Sequence, residues 1–335
     1  MKYRLIPILL VAMLALASSG ATAWALTINV PGDQPDIQSA INVAAPSDLV
    51  LVAPGTYVIG ATINVTVADL TIQGSGSGST TLQVSSAVGD GFAITSSGTT
   101  LRDFTIEKTD LPGAPHHLVW INANNVTVRD NVFFGPVPGT PWSVNGIVSR
   151  AMVVSPGLTG LLIQGNIISH LRQPAYIDGP SGVTRGSIVG NHVSGTRGWV
   201  VAGAKLIFTG NTWGPPQNQG AEIAWLATCT VADYPNLLAL STANGNAYIS
   251  DQFSGGPSGR ATAYVDDSAA PGGFGSALAP YQTIGAGVGN TLPGATVQVA
   301  AGTYTEQVSV NGKNLTVSGA GAGSTIVQSP LTLAE

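Results

Sequence analysis

Apolar residues recur along the chain in one short pattern. Four segments carry it: "VTVRDNVF" (126–133), "LLIQGNII" (161–168), "GSIVGNHV" (186–193) and "LIFTGNTW" (206–213). Each has an asparagine (Asn131, Asn166, Asn191 or Asn211), and three residues before it stands Val128, Ile163, Ile188 or Phe208. Two residues after it stands Phe133, Ile168, Val193 or Trp213. The apolar positions before the turn alternate with polar ones, the period of a half-buried strand. The unit therefore predicts strand, tight turn, strand. A further strand is expected ahead of each unit, in "LVWIN" (118–122), "AMVVS" (151–155), "AYIDG" (175–179) and "WVVAG" (199–203), and again in "EIAWL" (222–226). With Ile121, Val154, Ile177 and Val201 turned inward, Trp120, Val153, Tyr176 and Val200 face out.

The asparagines are 35, 25 and 20 residues apart. A fixed strand unit with loops of unequal length between copies is the signature of a solenoid, in which each turn buries its apolar face only by stacking on the next. Asn131, Asn166, Asn191 and Asn211 then fall in one column. Buried amides stacked this way satisfy one another and form a structural ladder.

A longer repeat frames these coils. "PDIQSAINVAAPSDLVLVAPGTY" (35–57) falls, at an offset of 247, on residues 282–304 of the stretch from Pro280 to Tyr304. After a two-residue gap, "DLTIQGSGSGSTTLQ" (69–83) matches "NLTVSGAGAGSTIVQ" (314–328). This opening resembles the amino-terminal coil of pectin methylesterases and of uncharacterised secreted β-helix proteins, within the pectate-lyase-like superfamily. The resemblance covers about 28–85 and 280–330. It implies an all-β fold, a right-handed parallel β-helix, with "IQSAINVA" (37–44) as a short helix closing its open end.

The organisation follows. Residues 1–25 read as a signal peptide: Lys2 and Arg4, an apolar run over 5–17, then small residues and an A-x-A site. Residues 26–255 are expected to form the main β-helix. Residues 256–279, rich in Gly, Ala, Ser and Pro, read as a linker. Residues 280–335 begin a second β-helix module, expected to be incomplete because the chain stops where a third coil should start. Charged residues make up 9% of the chain, against about 25% in ordinary domains, and Gly is abundant at 43 residues. The net charge of −5 argues against nucleic acid as a partner. Cys229 is alone, so no internal disulfide forms. The mature chain is expected to be secreted, monomeric and free of the membrane.

Candidate chemistry gathers on one side. Loops over 109–117, 135–148, 169–174 and 214–220 leave the coils at one corner and stack into a wall beside the outward column. The groove between them is expected to bind polysaccharide or a surface glycan through His116, His117, Trp120, Trp142, Tyr176 and Arg197. His170, Arg172 and Asp178 would be its catalytic groups if it is an enzyme, with a base, a carboxylate binder and an acid on one coil.

The motifs of pectin methylesterases ("Q-D-T-L", "D-F-I-F-G") and the clustered aspartates and G-H-G of polygalacturonases are absent from the sequence. No cofactor or metal is expected. Calcium, which lyases of this fold use, would need a carboxylate cluster that the groove does not supply. Three functions stay open: a carbohydrate-binding surface protein, a polysaccharide lyase or hydrolase, and a structural or adhesive repeat. The scarcity of carboxylates favours the first and third.

Overall fold

The computed structural model describes residues 25–110, 117–136, 149–177, 184–214, 221–225, 236–251 and 257–330. The expected signal peptide and the candidates His116, Trp142 and Asp178 lie outside the described residues. The remainder is a parallel β-helix, whose strands stack into three long sheets. The first runs from Thr27–Val30 through Thr127–Arg129 and Leu161–Gln164 to Ala204–Thr209. The second runs from Gly55–Ile59 through Val132–Phe134 and Ile167–Ser169 to Thr212–Gly214. The third runs from Ile63–Val65 through His117–Ile121, Arg150–Val154, Ala175–Ile177 and Trp199–Val201 to Ile223–Trp225 and Ile249–Asp251. Every pairing between these strands is parallel, and from Leu49 to Trp225 each coil contributes one strand to each sheet.

Alternation decides which side chains meet inside. Leu101, Val128, Ile163 and Ile188 are in register in the first sheet, and all are buried. Ile106, Phe133, Ile168 and Val193 do the same in the second, and Ile94, Ile121, Val154, Ile177 and Val201 in the third. Like side chains in columns give the core the close packing that a one-coil unit cannot reach.

The asparagine column occupies the turn between the first and second sheets. Asn131 Nδ2 donates to Asn166 Oδ1 at 3.2 Å, Asn166 Nδ2 to Asn191 Oδ1 at 3.0 Å, and Asn191 Nδ2 to Asn211 Oδ1 at 3.0 Å. Each Nδ2 also donates to a carbonyl of the preceding coil: Leu101, Val128, Ile163 and Ile188. The column has a fifth rung that the repeat does not predict. Asn244 caps the carboxyl end of helix α2 (Leu237–Ala243; α1 is Ile37–Val43), and its Oδ1 accepts from Asn211 Nδ2 at 2.7 Å. Here the helix replaces the strand, so no "GN" strand pattern marks the residue.

The duplicated opening folds alike in both places. Helix α1 is capped by Asp36, and helix α3 (Ile284–Gly289) by Thr283. Tyr57 Oη donates to Ala53 O at 3.0 Å, and Tyr304 Oη to Ala300 O at 3.2 Å. Thr80 Oγ1 accepts from Ser75 N at 2.9 Å, and Thr325 Oγ1 from Ala320 N at 2.8 Å. The twice-written "GTY" is thus a corner device. Gly55, at φ +149°, turns the chain from the first sheet to the second, and the tyrosine hydroxyl closes that turn.

The linker expected over 256–279 is corrected. Arg260–Val265 is a strand paired in parallel with Thr291–Val299, so the second module opens some twenty residues before Pro280. The Gly- and Ala-rich stretch that reads as a linker is the connection between that strand and α3. It replaces the six residues that join Val30 to Ile37 in the first opening. The two modules also touch. Arg260 and Glu222 form an ion pair at 2.9 Å with both side chains buried. Arg260 donates further to Phe274 O and Asn246 O. Leu292 and Ala295 belong to the main core rather than to the second one.

Candidate functional site

The outward face of the third sheet and the corner that leads into it hold most of the described candidates. Parallel register sets Trp120 against Val153, Val153 against Tyr176, and Tyr176 against Val200, one column along the solenoid. Trp120 and Tyr176 are half-buried, with the indole Nε1 donating to Ser155 Oγ at 3.1 Å. The column is amphipathic by construction. Its rings are outward residues of strands whose other face fills the core.

At the corner the sequence reading lacked one member. Arg150 is in register with His117 one coil earlier, and its guanidinium carbon lies 5.1 Å from the centre of the Tyr176 ring, a cation–π contact. Its Nε donates to Gln173 Oε1. Backbone bonds then carry the corner upward. Arg172 N donates to Ser149 O at 3.2 Å, and Arg197 N to Arg172 O at 3.0 Å. Arg150, Arg172 and Arg197 therefore gather at the corners of three successive coils. Burial, together with the charges of Arg172 and Arg150, brings Arg197 down to about 10. Burial and the charge of Arg172 lower Arg150 to about 10, and burial lowers Arg172 too. Like charges brought close in a partly desolvated place favour an added anion.

Arg150 stands at the edge of the loop over 135–148, where neither the strand period nor a motif marks it. Only the register of the third sheet, which sets it beside His117 and over Tyr176, brings it into the site.

The described carboxylates around this region are engaged. Asp90 Oδ1 accepts the His117 amide at 3.0 Å. Asp110 accepts from Ser86 and pairs with the buried Lys108. Glu222, on the strand expected at 222–226, faces the junction between modules, where it pairs with Arg260. Among the described residues no group of three or more His, Cys, Asp and Glu could hold a metal.

His170 is placed differently from Arg172 and Tyr176. It ends the second-sheet strand at φ +56°, and its ring lies edge-on to Phe134 with centroids 5.6 Å apart. The ring also comes so near Gly195 that an added Cβ there would sit 3.0 Å from His170 Cδ2. Its described ring contacts are therefore to the second sheet, whereas Tyr176 lies on the third.

No family model matches the sequence, and no curated protein does. Among solved structures the chain is similar to the pectin methylesterase from Aspergillus niger in deglycosylated form, with 13% identity over 92% of this chain and 84% of that one, at a TM-score of 0.34. No described helix is long and apolar enough to cross a membrane.

Proposed function

We propose that this is a secreted protein that binds an anionic glycan along the third sheet, with the Arg150–Arg172–Arg197 corner meeting its acidic groups and Tyr176 and Trp120 meeting its sugar faces. The observation that carries this reading is the gathering of three arginines on successive coils beside an aromatic column. Coils repeat at about 4.8 Å, close to the rise of one sugar in an extended chain, so successive arginines face successive sugars. Guanidinium forks suit carboxylate and sulfate oxygens, and aromatic faces suit the C–H surfaces of pyranose rings. Secretion rests on the leader expected over 1–25.

The test is titration with a polyuronate, a sulfated glycan and a neutral glucan. Binding is expected for the acidic polymers, weakened by salt, and lost by tenfold or more in Arg150→Ala and Arg197→Ala with unchanged melting. Because Arg150 and Arg197 are brought to about 10, affinity should also fall as the pH rises from 8 towards 10. Equal binding of the neutral glucan, or indifference to both substitutions, would overturn the reading.

A further inference from the structure

The junction between the two modules leaves a cavity of about 200 Å³. That is below the roughly 300–1,000 Å³ of sites that hold drug-sized ligands. On one side stand Trp213, from the last strand of the second sheet, and Gly245, just after α2. Facing them is the turn from Phe274 to Ala279, and Glu222 and Arg260 line the same space. The turn belongs to the long connection ahead of α3. The first opening spans that connection with six residues and has no such wall.

The wall is held in place by its own bonds. Phe274 N and Gly275 N donate to Ala279 O at 2.8 and 2.9 Å, and Ala279 N donates to Ser276 O at 3.2 Å. Tyr264 N donates to Gly275 O at 3.0 Å, which ties the turn to the strand Arg260–Val265. Tyr281 packs so closely on Gly275 that an added Cβ there would sit 2.2 Å from its ring. On the opposite side Trp213 Nε1 donates to Asn244 O at 2.7 Å, which fixes the indole. Leu278, near the end of the turn, is 81% exposed.

Glu222 and Arg260 are almost wholly buried, yet neither has used its full hydrogen-bonding capacity. A guanidinium has five N–H donors. Arg260 gives three of them, to Phe274 O, Asn246 O and Glu222 Oε1. The other two have no partner among the described residues. Glu222 accepts from Arg260 and from Tyr248 N, two bonds where a carboxylate takes about four. Buried donors and acceptors left unpaired are costly, and the cavity is the open space beside these two side chains. The pair has no net charge, and the other described residues lining the cavity are uncharged. An anion drawn to Arg260 also meets Glu222, and a cation drawn to Glu222 meets Arg260. A neutral group that donates and accepts on neighbouring atoms suits both, and adjacent ring hydroxyls are such a group. Trp213 and Leu278 suit the C–H surface of the same ring.

We infer that the junction pocket binds a single neutral sugar ring, with adjacent hydroxyls on Arg260 and Glu222 and its C–H surface against Trp213. The pocket is separate from the third-sheet groove and takes uncharged rather than acidic sugar. Its volume admits one ring, as a free sugar or the end unit of a glycan, and not the middle of a chain. The bound ring also bridges the modules, since Trp213 and Glu222 come from the first and the Phe274–Ala279 turn from the second.

Titration calorimetry of the leader-free chain with a panel of neutral hexoses and pentoses tests this, beside glucuronate and short neutral oligosaccharides. Saturable binding of at least one neutral sugar is expected, about tenfold or more tighter than glucuronate. Trp213→Leu and, separately, Ala277→Trp should each weaken it by roughly tenfold or more. Ala277 is exposed, so its variant fills the mouth without touching the ion pair and keeps its melting temperature should Trp213→Leu fold poorly. An oligosaccharide that binds as its monosaccharide does marks a chain end as the source, and one that does not bind marks a free sugar. No binding by any neutral sugar of the panel, glucuronate bound as tightly as its neutral counterpart, or an affinity indifferent to both substitutions would each overturn the inference.

Discussion

The first and second openings share caps, corner tyrosines and threonine bonds, yet they differ in what lies above them. Over the first, further coils stack and bury Ile72 and Leu82 completely; over the second, Val317 and Val327 stay about half exposed. The difference teaches that a β-helix coil encodes its own shape but not its own stability. Turn, cap and register are local; burial is supplied by the neighbour. The second module makes up part of the shortfall from below, through the Glu222–Arg260 pair and through Leu292 and Ala295, which reach the main core.

The sharpest way to break this comparison is to cut that support. Glu222→Ala strands a buried guanidinium, which costs about 3–5 kcal/mol. It should uncouple the second module, giving an early calorimetric transition ahead of the main one. A single transition displaced as a whole would mean that the modules fold as one unit.

The next test makes one change in both copies. Ile72→Ala should destabilise the main helix by about 3 kcal/mol in denaturant titration, and Val317→Ala should cost under about 0.5 kcal/mol, because only the first opens a cavity. Equal losses would show that the last coil is covered after all.

Asn166→Leu probes a feature that only the main helix has. It removes the acceptor of the buried Asn131 backbone N–H and the side-chain donor to Val128 O, at about 1–3 kcal/mol, visible as a lower melting temperature with glycan binding unchanged. The smallest effect belongs to Lys313→Ala. Losing the cation that donates to Val288 O, Gly289 O and Thr291 O at the carboxyl end of α3 should cost about 0.5 kcal/mol and speed amide exchange in α3 alone.

Much of the fold was legible because strand alternation and the turn asparagine are short-range signals. The strands with Val128, Ile163 and Ile188 inward and the outward run Trp120, Val153, Tyr176 and Val200 follow from neighbours a few residues apart, whereas the helix expected over 37–44 came from the resemblance of the opening and spans Ile37–Val43. Within the candidate site, His117, Trp120, Tyr176, Arg172 and Arg197 could be placed on one side by counting strands. Arg150 could not, since its partners lie 22 to 47 residues away and meet it only through register. Asn244 was hidden for the same reason, a rung supplied by a helix end. The strand at Arg260–Val265 was hidden in turn by the Gly- and Ala-rich stretch after it, where composition speaks for a loop but says nothing of the strand before it.

What the sequence determined by itself was the coil: its period, its inward column and the corner repeated at Tyr57 and Tyr304. What only the tertiary structure decided was contact between coils of unequal length. It gathered three arginines at one corner and aimed Glu222 at Arg260. The physical reason is that each loop changes the distance along the chain without changing the distance between coils. Alternation survives any loop length, whereas the pairing of charges across coils depends on register summed over every loop between them.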